Sequence, residues 1–341
     1  MNLQPVCILL CSLLLMTGCG KVQPDHAASP QQATLSQLGS LKQCQKYSGL
    51  PEAWGQNPTA GMVQIPKGSF QLGSNQAYPD EINFGEKQRQ VESFWIDQTE
   101  VTIAQFSSFV KATGYITDAE KQHQAAVFSP NTQTPHQWWQ LKANYTWKSP
   151  NGAKGQAPLP AEPVRYVTQN DAEHYAVWLG HDLPTEQEWE YAAKAGSATD
   201  TPLHQAPEDD HQHPQANYWQ GEFPFNNTQA DHFEGVAPVG CYPANAFKLF
   251  DMIGNVWEWT SSIYRGAHDQ HMGNYADLRQ QRIAGTQYVI KGGSFLCASN
   301  FCSRYRKTAV ATLRSLIWLQ HMLALELFYV HLKRNLSNDK K

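Results

Sequence analysis

Apolar and polar residues alternate along residues 61–74, GMVQIPKGSFQLGS, and this pattern predicts a strand, a glycine-containing turn and a second strand. Residues 91–115, VESFWIDQTEVTIAQFSSFVKATGY, predict another strand followed by a helix. In that segment Phe106, Phe109 and Val110 recur at helical spacing, and Thr102 is a suitable N-cap. The first third of the domain is therefore expected to consist of short strands that lead into a helix.

Two further helices are predicted in residues 160–196. A strand is expected to end near Thr168, and a helix should run from about Gln169 through Trp178. The next helix begins with a capping pattern and ends at Gly196; the pattern consists of Thr185, Gln187 and Glu188. The sequence thus predicts both strands and helices.

The segment from Ala125 to Pro160 is rich in Trp, Asn and Pro and has no clear period. Its tryptophans, Trp138, Trp139 and Trp147, have two interpretations. They either line or buttress a groove, or they pack in a core beneath a long loop. The chain as a whole has 11 Trp, 14 Tyr, 23 Gly and 20 Pro, which predicts an irregular, loop-rich fold anchored by aromatic residues.

The net charge of −4 and the absence of a basic patch argue against a nucleic-acid partner. The N-terminal run from Val6 to Cys19 is apolar, too short to span a bilayer, and ends in small residues before a cysteine. It resembles a bacterial lipoprotein signal. We therefore expect a signal peptide over 1–19, a flexible tether over 20–58, and an exported, periplasmic protein whose only membrane contact is a lipid anchor at Cys19.

An exported protein folds in an oxidising compartment, where its cysteines can form disulfides. After Cys19 the mature chain contains four, Cys44, Cys241, Cys297 and Cys302, and four cysteines allow three pairings. If Cys44 bonds to Cys241, the last two remain for chemistry or for each other.

Cys297 and Cys302 lie five positions apart in KGGSFLCASNFCSRYR, residues 291–306. Gly292 and Gly293 permit positive φ and close backbone approach, so Ser294 and Cys297 can be directed into a cleft. Two soft thiolates without a nearby His suit Cu(I) better than zinc. A plain disulfide across a short loop is the alternative.

Three polar stretches follow the second helix of residues 160–196. The first contains His204, His211 and His213, and without a regular element to space them it predicts a solvated loop instead of a metal site. The other two are residues 216–235 and 245–262, which gather carboxylates, amides and glycines. Such oxygen donors on a turn-rich backbone suit Ca²⁺, and Asx turns without an ion are the alternative.

Several motifs together resemble one family. In order they are MVQIPKGSF, FWIDQTEVT, ATGYITDAEK, LPTEQEWEYAAKAG, NYWQGEFP, KLFDMIGNVWEWTS and GGSFLCASNFCSRYR, and they extend from about Gly61 to Ala309. They resemble the formylglycine-generating enzyme (sulfatase-modifying factor) family. The resemblance implies a domain over about 59–310 with an irregular, C-type-lectin-like α/β fold, little regular secondary structure and bound calcium.

The same resemblance implies an oxidase that uses O₂ and Cu(I) to convert a cysteine in the C-x-P-x-R segment of an unfolded or nascent sulfatase to formylglycine. Cys297 and Cys302 would hold the copper, and Ser294 would be the active-site serine. Two Ca²⁺ sites are also implied. One comprises Asn217, Asp231 and the carbonyls of Tyr218 and Phe233; the other comprises Asp251, Glu258 and the carbonyls of Gly254 and Val256.

This chain departs from the family pattern at three places. Val167, Thr168 and Gln169 stand where V-S-W is usual, and residues 200–215 replace an expected Trp-Gly pair. The family ends with P-D and then H-V-G-F-R, whereas this chain continues VATLRSLIWLQHMLALELFYVHLKRN, in which Leu316–Val330 predicts an amphipathic helix. A shifted reading frame of Leu316–Leu327 can encode PDMAAAHVGFRV. We therefore predict that residues 311–341 are an aberrant tail produced by a frameshift.

One other function remains possible on sequence grounds, and a second lacks the motif that it needs. A non-catalytic exported lipoprotein of the same fold could have a binding or structural role. An iron-dependent sulfoxide synthase of this fold would need an H-x-x-x-H-x-E helix, and the sequence contains none.

Overall fold

The structure is a computed structural model that describes residues 38–74, 77–78, 88–130, 138–197, 202–264, 286–311, 328–329 and 333–335. Its regular elements are short, and long turns separate them. The helices are α1 (Leu41–Cys44), α2 (Ile103–Thr113), α3 (Asp118–Gln122), α4 (Gln169–Leu179) and α5 (Glu186–Lys194). The strands are β1 (Met62–Ile65), β2 (Gly68–Gln71), β3 (Gln88–Val91), β4 (Phe94–Asp97), β5 (Gln124–Phe128), β6 (Trp139–Ala143), β7 (Trp257–Ile263), β8 (Tyr288–Lys291), β9 (Phe328–Tyr329) and β10 (Lys333–Asn335).

The strands form four small sheets. Their strand orders are β1-β4-β10, β2-β3, β5-β6 and β8-β7-β9. Strand β7 pairs antiparallel with β8 and parallel with β9, and six of its seven residues are buried. Because β7 is buried on both faces, it forms the centre of the fold. Its neighbour β8 ends at Lys291, where the cysteine-containing segment begins.

The predictions of α2, α4 and α5 are confirmed, and the reason is local. Helices α2, α4 and α5 each begin with a capping box, formed by Thr102 with Gln105, Thr168 with Asp171, and Thr185 with Glu188. In each box the threonine hydroxyl accepts from the N3 amide while the N3 side chain accepts from the N-cap amide. Helices α2 and α4 end at Gly114 and Gly180, which adopt left-handed conformations.

The strand expected to end near Thr168 is wrong. Residues 161–168 contain only an isolated bridge between Thr102 and Pro163. Tyr166 has a φ of 61°, which is incompatible with an extended strand, and Pro163 lacks an amide to donate.

The segment from 125 to 160 also differs from the long loop of the second interpretation. Strands β5 and β6 pair antiparallel from Gln124 opposite Ala143 to Phe128 opposite Trp139.

The tether predicted over 20–58 ends earlier than expected. Gly39 donates its amide to the carbonyl of Gly240, α1 begins at Leu41, and Cys44 is disulfide-bonded to Cys241. Residues from 38 onward therefore belong to the folded domain, because these long-range bonds fix them against the turns around 240.

Part of the predicted tail also belongs to the fold. Strand β10 adds to the edge of β4, with Lys333 opposite Ile96, and β9 pairs with β7. Lys333 is nearly buried, and its Nζ lies 2.7 Å from Glu188 Oε2. The helix expected over Leu316–Val330 is therefore wrong at Phe328–Tyr329, and the rest of it lies outside the described residues. No helix among the described residues is long and apolar enough to cross a membrane.

His181 follows α4 and provides a test of this packing at acidic pH. Its Nε2 donates to the carbonyl of Pro58 at 2.9 Å, and burial lowers the pKa of its ring below the usual 6.5. A lowered folded-state pKa means that the folded state holds fewer protons, so stability falls as pH drops through and below that usual value. We expect the urea midpoint to fall less between pH 7 and pH 5 in His181→Gln than in the unsubstituted chain.

The matched control for this prediction is His174→Gln. His174 is exposed on α4, where its Nδ1 lies 2.8 Å from the carbonyl oxygen of Asn170 and its ring lies 5.1 Å from the ring of Tyr115. It should leave the pH dependence unchanged. Equal loss of stability in the His181→Gln variant and the unsubstituted chain would contradict the assignment of acid sensitivity to His181.

Candidate active site

The loop after β8 turns sharply because of two glycines. Gly292 and Gly293 have φ values of 93° and 80°, in the region that glycine tolerates best. A Cβ on Gly293 would lie 2.7 Å from the carbonyl oxygen of Arg304, too close for any side chain. The chain therefore returns against its own start, and the residues between, Ser294 to Ser303, form a closed loop that we call the cysteine loop.

The cysteine loop brings two sulfur atoms together. Cys297 Sγ lies 3.2 Å from Cys302 Sγ; Cys297 is 1% exposed, whereas Cys302 is half-buried and has a φ of 50°. Between them, Ala298 and Phe301 exchange backbone hydrogen bonds of 2.7 and 3.1 Å. The amide of Trp219 donates to the carbonyl of Cys297 at 2.9 Å and attaches the loop to the core. Cys297 is thus enclosed, whereas Cys302 is only partly buried.

Both sulfurs are free thiols in the structure, and Cys44 is disulfide-bonded to Cys241. This is the pairing that leaves Cys297 and Cys302 available for chemistry. The two sulfurs lie close enough together to act as a pair.

The environment of Cys297 favours the thiolate. Burial alone would raise the pKa of this thiol, but hydrogen bonds with Cys302 and with the backbone of Ser294 and Arg304 lower it below the usual value. A thiolate is the form that binds soft metal ions and attacks electrophiles. Ser294 is buried, and its Oγ lies 4.0 Å from Cys297 Sγ while it accepts a hydrogen bond from the amide of Leu296.

Aromatic rings form one wall beside Cys302. Phe301 stacks on Phe223 with ring centres 4.3 Å apart, and Trp138 meets both rings edge-on at 5.2 Å. Trp138 therefore buttresses the site, as one sequence interpretation had it. Trp147 is 4% exposed and packs against Phe106 in the main core, as the other interpretation had it.

A polar rim lies on another side of the cysteine loop. The hydroxyl of Tyr78 lies 3.3 Å from Ser303 Oγ, and the guanidinium of Arg304 lies 4.6 Å from the ring centre of Tyr78. His204 also reaches this rim, with Nδ1 3.0 Å from the carbonyl oxygen of Ser299. His204 is exposed, as expected for a solvated loop, but its ring also contacts the cysteine loop, and no local sequence signal shows this contact.

The first set of residues assigned to calcium comes together. Asn217 and Asp231 are buried, and Asp231 Oδ2 accepts from the amide of Tyr218 at 3.3 Å, while its Oδ1 accepts from the amide of Phe233 at 3.0 Å. Burial raises the pKa of Asp231. The hydrogen bonds that this carboxylate accepts therefore offset only part of the free-energy cost of burying its negative charge.

The second set lies beneath the cysteine loop. Asp251 and Glu258 are buried, and the amide of Gly254 donates to the carbonyl of Gly292 at 2.9 Å. Nearby Glu100 is also fully buried; burial, followed by the charges of Asp251 and Glu258, raises its pKa well above the usual value. A cation bound near these three buried acidic groups would stabilise their negative charges.

Among the described residues, no three His, Cys, Asp or Glu side chains are grouped so as to hold a metal by themselves. An ion at either calcium set would therefore depend on amide and backbone carbonyl oxygens as well, as Ca²⁺ sites commonly do. The donor sets fit that requirement, since each combines buried carboxylate or amide oxygens with carbonyls in irregular turns.

The fold and the cysteine loop define a sulfatase-modifying-factor type of domain. Residues 47–315 match the family described as "Sulfatase-modifying factor enzyme 1-like domain", and the chain belongs to this family. The mixed α/β architecture with little regular structure, expected from the sequence, is confirmed.

Several relatives are named formylglycine-generating enzyme. The chain is 36% identical over 287 residues to the formylglycine-generating enzyme of Thermomonospora curvata, covering 76% of this chain and 90% of that protein. It is 38% identical over 279 residues to that of Mycobacterium tuberculosis, covering 73% and 91%. It is also 36% identical over 232 residues to the inactive Cα-formylglycine-generating enzyme 2 of Bos taurus, covering 64% and 75%. The family thus includes oxidoreductases as well as a relative named inactive.

A solved structure supports the fold alone. PvdO from Pseudomonas aeruginosa aligns with a TM-score of 0.54 and 22% identity, covering 81% of this chain and 94% of that chain. At this identity the likeness concerns architecture and not chemistry.

Proposed function

We propose that this chain is an exported, copper-dependent oxidase that converts the cysteine of a C-x-P-x-R segment in sulfatases to formylglycine. The observation that carries the proposal is the pair of free thiols 3.2 Å apart, one on the buried Cys297 and the other on the partly buried Cys302. The similarity to formylglycine-generating enzymes over most of the chain supports the same reaction.

Cys297 and Cys302 fit Cu(I) because they are soft donors close enough to share one ion. Bound Cu(I) would supply a soft site for the peptide thiolate and for the reduction of O₂. The chain itself favours the Cys297 thiolate through the hydrogen bonds described above, and the aromatic wall of Phe301, Phe223 and Trp138 keeps water from one side. Ser294, buried beside Cys297, is proposed to orient that sulfur.

The overall reaction balances with one O₂ and an external thiol reductant. The peptide CH₂–SH becomes an aldehyde; its sulfur leaves as H₂S; one oxygen atom enters the aldehyde and the other leaves as water. Two electrons and two protons come from the external thiol, which is oxidised to a disulfide.

The decisive test uses the full-length chain. It is incubated with Cu(I), O₂, a thiol reductant and a C-x-P-x-R peptide, and mass spectrometry detects the aldehyde. A peptide with Ser in place of Cys is the control. Aldehyde from the Cys peptide alone supports the oxidase, and its complete absence with copper bound at the thiol pair would refute it.

A non-catalytic, exported binding protein of the same fold is the second candidate. It is favoured by the similarity to a relative named inactive and by the altered segment at residues 200–215. This candidate predicts that the chain holds a C-x-P-x-R peptide, measured by fluorescence anisotropy, without converting it.

Export and anchoring belong to the same proposal. The Cys44–Cys241 disulfide favours an oxidising compartment such as the periplasm, since disulfides are rare where thiols are kept reduced. Cys19, the proposed lipid attachment point, lies outside the described residues. Incorporation of labelled fatty acid that is lost in Cys19→Ser tests the anchor.

We also propose that the tail after about Ala309 is a frameshift product. The pairing of β10 with β4 indicates that such a tail can still supply a strand at the sheet edge, where the family's own ending is expected. Resequencing of the codons for Leu316–Leu327 tests this, and the same unbroken frame in several isolates would refute it.

Calcium is proposed at the two sets of residues described above. Saturating Ca²⁺ at about 100 times its dissociation constant stabilises the folded state by about 2.7 kcal/mol per site. For a domain of this size we expect each occupied site to raise Tm by about 5–10 °C. Glu258→Gln should lose a large part of that increase, because it removes a buried charge from the second set.

Asp210→Asn is the control for this prediction, since Asp210 is exposed and belongs to neither set. It should keep the full calcium-dependent increase in Tm, measured by calorimetry with and without chelator. The same increase in Asp231→Asn, Glu258→Gln and the unsubstituted chain would contradict both calcium assignments.

A further inference from the structure

The segment 202–215 lies against the cysteine loop at one definite point. The ring of His204 is exposed, yet its Nδ1 lies 3.0 Å from the carbonyl oxygen of Ser299 and 3.5 Å from Ser303 Oγ. A carbonyl oxygen only accepts hydrogen bonds, so Nδ1 must carry the proton. This fixes the tautomer of the neutral ring and makes His204 a donor to the cysteine loop.

The carbonyl that His204 holds lies at the tip of the turn between the two cysteines. Ala298 and Phe301 close the base of that turn by exchanging backbone hydrogen bonds, while Ser299 and Asn300 are exposed. Cys297 and Cys302 flank the turn directly. A bond from outside to Ser299 therefore restrains the part of the backbone that sets the separation of the two sulfurs.

The left-handed backbone of Cys302 makes this restraint matter. A φ of 50° is unfavourable for a residue with a Cβ and persists only where the surroundings hold it. Ser303, the next residue, is contacted both by Tyr78 and by His204. His204 thus contacts the chain on both sides of the Cys302 backbone, at Ser299 and at Ser303.

The segment is attached to the site at a second point. Glu208 accepts a hydrogen bond of 2.8 Å from the hydroxyl of Tyr218, and the Tyr218 ring lies 5.2 Å from that of Tyr305. Within the segment, Asp209 donates its amide to the carbonyl of His213, and Gln215 donates to that of Pro207. These bonds give the segment a fixed shape, so that His204 is held in place and does not contact the loop by chance.

We propose that His204 is a positioning residue that sets the separation of Cys297 and Cys302 through the carbonyl of Ser299. The inference rests on the proposed function only in taking Cu(I) as the ion that Cys297 and Cys302 bind. The restraint on the separation of the two sulfurs exists with or without copper. The segment that stands in place of the expected Trp-Gly pair therefore contributes His204 to the site around the two cysteines.

The experiment measures how readily the two thiols meet. The full-length chain is equilibrated with reduced and oxidised glutathione, and the fraction with a Cys297–Cys302 disulfide gives the effective concentration of one thiol at the other. Loss of one hydrogen bond of about 0.5–1.5 kcal/mol should lower that concentration about threefold to tenfold in His204→Ala. His204→Asn retains a donor at the place of Nδ1 and should restore most of it.

His211→Ala is the matched control, because His211 belongs to the same segment and contacts the ring of His213 instead of the cysteine loop. It should leave the effective concentration unchanged, and Tm should stay the same in all three variants. An unchanged effective concentration in His204→Ala would overturn the inference, as would an equal loss in the Ala and Asn variants.

Copper binding separates this inference from the proposed function. If the unsubstituted chain binds no Cu(I) in competition with a chromogenic chelator, the proposed function fails, while the glutathione result still decides the role of His204. If copper binds, His204→Ala should weaken its affinity by a similar threefold to tenfold and His204→Asn should not.

Discussion

We expect that replacing Cys302 by serine abolishes both the proposed Cu(I) binding and the proposed oxidation of the peptide. The two sulfurs lie 3.2 Å apart, and a single remaining thiolate beside a hard hydroxyl oxygen is a poor site for Cu(I). The bound copper, measured by competition with a chromogenic chelator, should fall from one ion per chain to none. The aldehyde product should fall below detection, and Cys297→Ser should behave in the same way.

The control for the thiol pair is Ser294→Ala. Its Oγ lies 4.0 Å from Cys297 Sγ, so it should leave the copper stoichiometry at one while it reduces the rate of conversion. Cys302 is only half-buried, and the serine variant should therefore keep the Tm of the unsubstituted chain. Undiminished product from a folded Cys302→Ser chain would refute the proposed role of the pair.

Replacing Lys291 by methionine will destabilise the domain by about 3 kcal/mol, because it breaks a buried ion pair. Lys291 and Glu190 are both fully buried, with Nζ 2.9 Å from Oε2, and Lys291 also donates to the carbonyl of Thr308. Lys194 lies 3.0 Å from the same carboxylate and would still compensate part of its charge. The loss is large beside a usual total stability of about 5–15 kcal/mol.

Lys121→Met provides the comparison for Lys291. Lys121 pairs with Asp118 at 3.0 Å, but about half of its side chain is exposed, and surface pairs contribute little. The free energy of unfolding from urea titration should therefore change by under about 1 kcal/mol in Lys121→Met. Similar losses in the two variants would contradict the role of the buried pair. Since Lys291 directly precedes Gly292, this pair also holds the start of the cysteine loop.

The helices could be read from the sequence because their signals are local. Thr102, Thr168 and Thr185 each find their capping partner three residues further on, so sequence and structure agree almost residue by residue. The cysteine pair is local in the same sense, with only four residues between the two sulfurs. Its geometry follows from a tight turn after two glycines, and this was foreseen.

Where the structure differs from the sequence prediction, both local backbone conformation and contacts between distant residues are responsible. The strand expected before Thr168 is absent because Tyr166 adopts a left-handed conformation, and nothing in its local composition indicates this. The tether prediction failed because Gly39 and Cys44 bond to residues some two hundred positions away. The contact between His204 and the cysteine loop was not predicted, because its partner, Ser299, is 95 positions further along the chain.

By itself the sequence determined the family, the mixed fold class and the capped helices, because each depends on residue types within a few positions of one another. It left open whether Cys297 and Cys302 are thiols or a disulfide. The tertiary structure alone decided which sulfur is enclosed, which histidine reaches the cysteine loop and which acidic groups are buried together. Those properties depend on burial and on hydrogen bonds between segments far apart in the chain, and only folding brings these segments into contact.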